Sequence, residues 1–260
     1  IGNVWKQTST KRYNGRLFLH KYSLSSKKVK KSMEHNFLKK YPASTWQYII
    51  DPPLSGAKNM ARDWQLMEGC SSPILRLYSW AQPTLSLGRN QSDGWIDQNL
   101  CRTCHVEVVR RPTGGRALLH MPGEITYAVI VPEVDSHLKI AQAFANIAAV
   151  LGKALQKLGL PVSAATDGSI PGGASHPSCM AVTAPGEITA LGRKFVGSAQ
   201  VRHNGKLLQH GVIVRRYDVE LLQKLIPGAE PGVDLHTLGF ANLQPEEVQA
   251  AFQSVIATLA

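Results

Sequence analysis

The chain has 260 residues, 43% hydrophobic and 18% charged, a composition suited to a globular protein with a sizeable core. No run of 18 or more apolar residues occurs and the first 25 residues lack the continuous apolar core of a secretory signal, so neither a membrane span nor export is expected and a cytoplasmic enzyme is the default. The net charge of +11 points to nucleic acid only until its distribution is read: residues 1–45 hold 11 Lys or Arg and one acid, Glu34, whereas residues 46–260 hold 18 basic and 17 acidic side chains.

The basic excess therefore belongs to an N-terminal arm, residues 1–45, with the composition of a solvated, poorly ordered tail. The chain opens on Ile, and Met33 precedes the first well-patterned segment, which leads to the expectation that residues 1–32 lie upstream of the natural start. From residue 46 onward strands and helices alternate. Strands are expected over 46–50, 73–78 and 85–88, the last closed by the polar turn 89–94. Between the first two lies a helix over 55–68, with Ser55 as N-cap and Ala57, Met60, Ala61, Trp64 and Met67 on its buried face. A short helix over 96–100 runs into a strand over 106–111, and a strand over 124–131 places Ile125, Tyr127, Val129 and Val131 on one face. The longest helix is expected over 136–158, with Ile140, Phe144, Ile147, Val150, Leu151 and Leu155 as its stripe and Gly159 as its stop. Then come an apolar strand pattern over 190–200 interrupted by Lys194, a hairpin over 195–214 turned at Asn204-Gly205, and helices over 219–225 and 246–259. The sum is one α+β domain over 46–260, a mixed or antiparallel sheet packed by helices.

Four cysteines, at 70, 101, 104 and 179, are too few for a disulfide scaffold. Cys101-Arg102-Thr103-Cys104-His105 matches the c-type haem attachment spacing, but no export signal accompanies it; neither haem nor a metal is expected there. Two other segments carry chemistry. Cys179 follows the turn-rich stretch 170–178, and Lys194 follows 15 residues later; an ammonium beside a thiol lowers its pKa, and the thiolate is a nucleophile for acyl transfer. By spacing alone a structural cysteine and a surface lysine fit as well. The segment Arg110-Arg111-Pro112-Thr113-Gly114-Gly115-Arg116 joins paired glycines, which admit a ligand close to the backbone, to arginines that favour an anion; a plain hairpin turn is the competing reading. His176, three residues before Cys179, invites a Cys-His pairing that its spacing does not require, and His203 and His210 need no special role in their hairpin.

Taken in order, Asn59-Met60-Ala61-Arg62-Asp63, Leu87-Gly88-Arg89-Asn90-Gln91, residues 110–120 and residues 192–200 resemble the biotin/lipoate protein ligase superfamily, and within it most closely the LipM-type octanoyltransferases. The likeness covers residues 46–260. It implies the catalytic fold of that superfamily and a ping-pong reaction without ATP or other cofactor. Octanoyl would arrive on the phosphopantetheine of an acyl carrier protein, pass to Cys179 as a thioester, and end as an amide on a lysine of a lipoyl domain, in 2-oxoacid dehydrogenases or the glycine cleavage H protein. Cys179 and Lys194 would be catalytic; Arg111, Thr113, Gly114, Gly115, Arg116, His120, Gly197, Ser198 and Ala199 would bind substrate. Arg111 and Arg116 would either steer the acidic carrier protein or brace their loop. A monomer without membrane or nucleic-acid partners is expected.

Arg116 stands where ATP-using ligases carry a third glycine, and the thiol precedes the lysine, the reverse of the LipB-type order. An ATP-dependent lipoate ligase and an enzyme moving octanoyl between lipoyl domains remain the alternatives. One departure stands out: after His120 the LipM-like pattern reaches a Glu three residues on, whereas here Met121-Pro122-Gly123 delays Glu124 by one residue, leaving the role of His120 open.

Overall fold

The computed structural model describes residues 12–13, 16–17, 35–165, 180, 183 and 186–259. Cys179, His176 and the stretch 170–178 lie outside the described residues. Strands β1 (Arg12–Tyr13) and β2 (Arg16–Leu17) pair antiparallel. The folded unit reaches further back than the expected boundary at residue 46: Leu38, in a 3₁₀ turn over Phe37–Lys40, is 1% exposed and belongs to the main core, while Asn36 donates its side-chain amide to the Asn146 carbonyl.

In chain order there follow β3 (Gln47–Ile50), α1 (Gly56–Gly69), β4 (Ile74–Tyr78), β5 (Thr84–Leu87), α2 (Gln98–Thr103), β6 (Glu107–Arg110), β7 (Leu118–His120) and β8 (Ile125–Val131). The second half holds α3 (Ile140–Lys157), β9 (Val162–Ala164), β10 (Ile188–Ala190), β11 (Arg193–Lys194), β12 (Val196–His203), β13 (Lys206–Ile213), α4 (Val219–Leu225), α5 (Leu235–Leu238) and α6 (Pro245–Ala257). The main sheet is mixed, in the order β12-β13-β8-β4-β3, with only the β3/β4 pair parallel. Smaller sheets run β6-β5-β7 and β11-β10-β9.

Strand alternation explains how the main sheet is covered on both sides. From β4 and β8, Leu75, Leu77, Ile125, Tyr127, Val129 and Val131 join the core built with α3 and α6. The intervening Ile74, Tyr78, Ala128 and Ile130 pack with Met60 and Met67 of α1 on the other face. Helix α1 departs from its expected face: Ala57 and Ala61 are exposed and Trp64 is half-buried, while Asn59 and Asp63 are fully buried with Met60 and Met67. Arg76, rising from β4 beneath the helix, is the reason, since a buried guanidinium demands polar partners.

Helix α3 starts at Ile140, four residues later than expected, and Ile140 is exposed. Asp135 accepts from the His137 backbone N–H through its side chain and from Leu138 through its carbonyl, which diverts residues 135–138 into a turn. The pattern over 190–200 is likewise not one strand. Leu191 and Gly192 have φ of 51° and 73°, a two-residue turn that folds β11 back on β10. The hairpin β12/β13 turns at Asn204-Gly205, as expected. Among the described residues no helix is long and apolar enough to cross a membrane.

Candidate active site

A half-open hollow lies on the α1 side of the main sheet. Its apolar wall is Met60, Tyr78, Trp80 and Leu118, and its polar wall includes Arg111, His120, Thr126, Ser198 and His210. Gly197, Ala199 and Gly211 complete it. Gly211 is required there, because a Cβ would come within 2.4 Å of the Gly197 carbonyl oxygen and 2.7 Å of Tyr127.

The Arg-Gly loop packs tightly on the chain after β5: a Cβ on Gly88 would sit 1.9 Å from the Gly115 carbonyl oxygen, and Gly115 itself has φ of +97°. Arg111 is buried and braces the loop from inside, donating to the carbonyls of Ser86, Gly114 and Arg116 and to the Ser86 hydroxyl at 2.7–3.1 Å. Of the two roles weighed for Arg111, bracing is the one observed. Gly114 and Gly115 are exposed at the loop tip and Arg116 is half-buried.

His120 closes one wall. A guanidinium only donates, so the Ser86 hydroxyl accepts from Arg111 and passes its own proton to His120 Nε2 at 2.8 Å, closer than the alternative Leu118 carbonyl at 3.3 Å. That assigns the proton to Nδ1, which donates to Glu124 Oε1 at 2.6 Å. The longer Met121-Pro122-Gly123 loop therefore still delivers Glu124 to His120, with Gly123 taking φ of +83°. Trp80 stacks on the imidazole at 3.9 Å and anchors its own Nε1 on Thr126 at 2.8 Å.

Burial, reinforced by Arg111 and His210, holds the His120 pKa well below its ordinary value, and burial lifts that of Glu124 well above its own. Oε2 of Glu124 is buried with no hydrogen-bond partner among the described residues, which fits a neutral carboxyl. Below about pH 6.5 the unfolded chain protonates His120 more readily than the folded one, so stability falls as pH drops; above about pH 4.5 the folded chain keeps a Glu124 proton that the unfolded one releases, so stability falls as pH rises through the folded pKa. Glu124→Gln is expected to remove the second loss. As pH rises from about 4.5 through the folded pKa, melting temperatures should then fall less steeply for the variant, and parallel profiles would reject the neutral carboxyl.

A second buried chain holds the loop from the other side. His210 Nδ1 donates to Asp63 Oδ2 at 2.8 Å and His210 Nε2 meets the Thr113 hydroxyl at 2.8 Å. Asp63 also receives Arg76 at 2.7 Å and the Tyr78 hydroxyl at 3.0 Å, and Arg76 continues to Asp51 at 2.7 Å. The order hydroxyl, imidazole, carboxylate imitates a hydrolase triad. Thr113 is fully buried and out of a substrate's reach, so the chain acts as a brace, and His210 does have a structural task.

Lys194 sits on β11 with its side chain 3% exposed, and its Nζ donates to Glu187 Oε1 at 2.8 Å. Gly232 lets neighbouring chain close in: a Cβ there would lie 2.4 Å from the Lys194 carbonyl oxygen and 2.6 Å from Met180 Cε. Met180, which follows Cys179 in sequence, is buried against Leu118, Val212 and Val214. Thus Leu118 belongs both to the hollow and to the Met180 cluster.

The lipoyl protein ligase A/B catalytic domain family matches residues 55–249. The chain belongs to this family. It is 39% identical over 193 residues to the octanoyltransferase LipM of Carboxydothermus hydrogenoformans, covering 70% of this chain and 69% of the relative. The LipM octanoyltransferase of Clostridioides difficile is 34% identical over 205 residues, 75% of this chain and 74% of the relative. A solved lipoate-protein ligase A bound with ATP superposes with a TM-score of 0.64 over 82% of this chain and 84% of that one, at 22% identity, and shares the fold.

Within this lipoyl ligase family fold, the site residues expected from sequence divide into two groups. Arg111, His120, Gly197, Ser198 and Ala199 line the hollow directly; Thr113, Gly114, Gly115 and Arg116 shape the loop that borders it. Sequence reading passed over Met60, Tyr78, Trp80, Glu187 and His210 as site residues. His210 carried a usable signal, a histidine between the apolar Leu208 and Val212 on one side of its strand. Among the described residues no group of three or more His, Cys, Asp or Glu gathers as a metal site; Cys101 is buried in a separate apolar cluster.

Proposed function

We propose that this protein is an octanoyltransferase of lipoate biosynthesis, moving octanoyl from an acyl carrier protein to a lysine of a lipoyl domain through a thioester on Cys179. The observation that carries the reading is the buried Lys194, ion-paired to Glu187, on a strand whose backbone closes on Met180, the residue after Cys179, while Met180 packs on Leu118 of a largely apolar hollow. The family match and the LipM relatives support it.

In the first step the Cys179 thiolate attacks the donor thioester carbonyl, the donor C–S bond breaks, and phosphopantetheine leaves as a thiolate that takes its proton from water. Thioester exchange is nearly isoenergetic, so ATP is not required. In the second step the acceptor ε-amine attacks the acyl-enzyme, the C–S bond breaks and an amide forms. The amine proton passes to the departing Cys179 sulfur, with Lys194 as the cation that stabilises the thiolate before and after. The hollow holds the acyl tail, and the backbone of the Arg-Gly loop borders it.

The protein incubated with octanoyl carrier protein, without ATP, is expected to gain one octanoyl group on Cys179 by intact and peptide mass spectrometry, and Cys179→Ala to gain none. Absence of the adduct, with transfer only when ATP and free octanoate are supplied, would replace this reading with a ligase.

A further inference from the structure

Lys194 and Glu187 meet because of the register of one hairpin. Strand β10 pairs antiparallel with β11, with Thr189 opposite Lys194 and Ala190 opposite Arg193. Glu187 continues β10 backwards, its carbonyl accepting from the Ala165 N–H at 2.8 Å. Because side chains alternate along a strand, Glu187 shares a face with Thr189 and Lys194 and lies diagonal to the lysine, within reach of a long side chain. The turn at Leu191 and Gly192, with φ of 51° and 73°, sets this register, and a slip of one residue would send Lys194 to the other face.

The neighbours leave the lysine to that carboxylate. Thr189, directly opposite, turns its hydroxyl to Ser163 of β9, 3.1 Å from the Ser163 hydroxyl and 3.2 Å from its carbonyl. Ile188, Ala190 and Phe195 pack into the main core and fix the hairpin. Lys194 Nζ meets Glu187 Oε1 at 2.8 Å, with the two side chains 3% and 7% exposed. A lysine stem is flexible and has no preferred direction of its own, and a buried ammonium requires a counter-charge. One carboxylate meets both requirements.

We infer that Glu187 is a positioning residue for acyl transfer, holding Lys194 Nζ in place as a cation. This deepens the transfer reading above and rests on Lys194 acting in that reaction. Glu187 works through Nζ, so its loss slows the chemical step and leaves acceptor binding unchanged. Gln in its place keeps the shape and an acceptor oxygen without the charge; Asp keeps the charge but falls one methylene short of Nζ.

The test compares the wild type, Glu187→Gln, Glu187→Asp and Lys194→Ala, with Val248→Ala, in the part of the main core contributed by α6, as a control for lost stability. The readouts are the saturating single-turnover rate constant for octanoylation of a lipoyl domain from octanoyl carrier protein without ATP, and the KM for the lipoyl domain. A saturating rate constant does not depend on the folded fraction. Both Glu187 variants are expected to lower it about 10–100-fold with KM within about twofold of wild type, while Val248→Ala lowers the Tm and keeps the rate. Should Glu187→Gln fail to fold, Glu187→Asp decides. Glu187 variants that keep the wild-type rate constant, that lose only in KM, or that slow no more than the control, beside a slow Lys194→Ala, would overturn the positioning role alone. A Lys194→Ala protein at the wild-type rate would remove the lysine from the reaction and the inference with it. A wild type that transfers nothing without ATP would overturn the transferase reading.

Discussion

Lys194→Ala is expected to lower acyl transfer by about 10²–10³-fold, the range for loss of a positioned group that stabilises a charge. It should also destabilise the fold, because Lys194 and Glu187 are both buried and removing one member of a buried pair costs about 3–5 kcal/mol. Those two effects separate in a double variant. Lys194→Met with Glu187→Gln removes both charges, so it should recover much of the lost stability while transfer stays low. Thermal melts and single-turnover transfer from the acyl-enzyme measure the two quantities. A Lys194→Ala protein that transfers at the wild-type rate would exclude the lysine from the reaction.

Arg76→Met is expected to have the largest effect on stability of any substitution away from the site. The guanidinium is fully buried, bonded to Asp51, Asp63 and both oxygens of Asn59, and lies 3.9 Å over the Tyr78 ring. Its loss leaves Asp63 buried without its cation, at about 3–5 kcal/mol, or a fall of roughly 6–20 °C in Tm for a chain of this size. The damage should reach the Arg-Gly loop, since Asp63 orients His210 and His210 holds Thr113. Faster amide exchange over residues 112–116 together with the lowered Tm is the predicted signature. A Tm within about 2 °C of wild type would mean the network is not under load.

Much of this was legible in the chain. Helix α4 has the expected bounds, β3, β4, β6 and β8 fall within a residue or two of theirs, and the Asn204-Gly205 turn forms because that dipeptide suits two positive φ angles. The Arg-Gly loop was visible because paired glycines between arginines have few structural uses. Less legible were α1, whose buried face is half polar, and the 190–200 segment, where Leu191 in a left-handed turn gives no composition signal. The extra residue before Glu124 read as a break in the pattern, yet the His120–Glu124 contact survives because Gly123 absorbs it.

By itself the sequence determined the element types, the family pattern and the candidate residues Cys179 and Lys194, because propensity, periodicity and turn chemistry act over a few neighbouring residues. Only the tertiary structure decided that Arg111 braces its loop from inside, that His210 is tied to Asp63 across 147 residues and to Thr113 across 97, and that Met60 lines a hollow with Arg111 and His120. Those meetings depend on how helix α1 seats on the sheet and how the buried charges find partners. No local pattern encodes that packing, because the partners are distant in sequence and the burial that forces them together exists only in the folded chain.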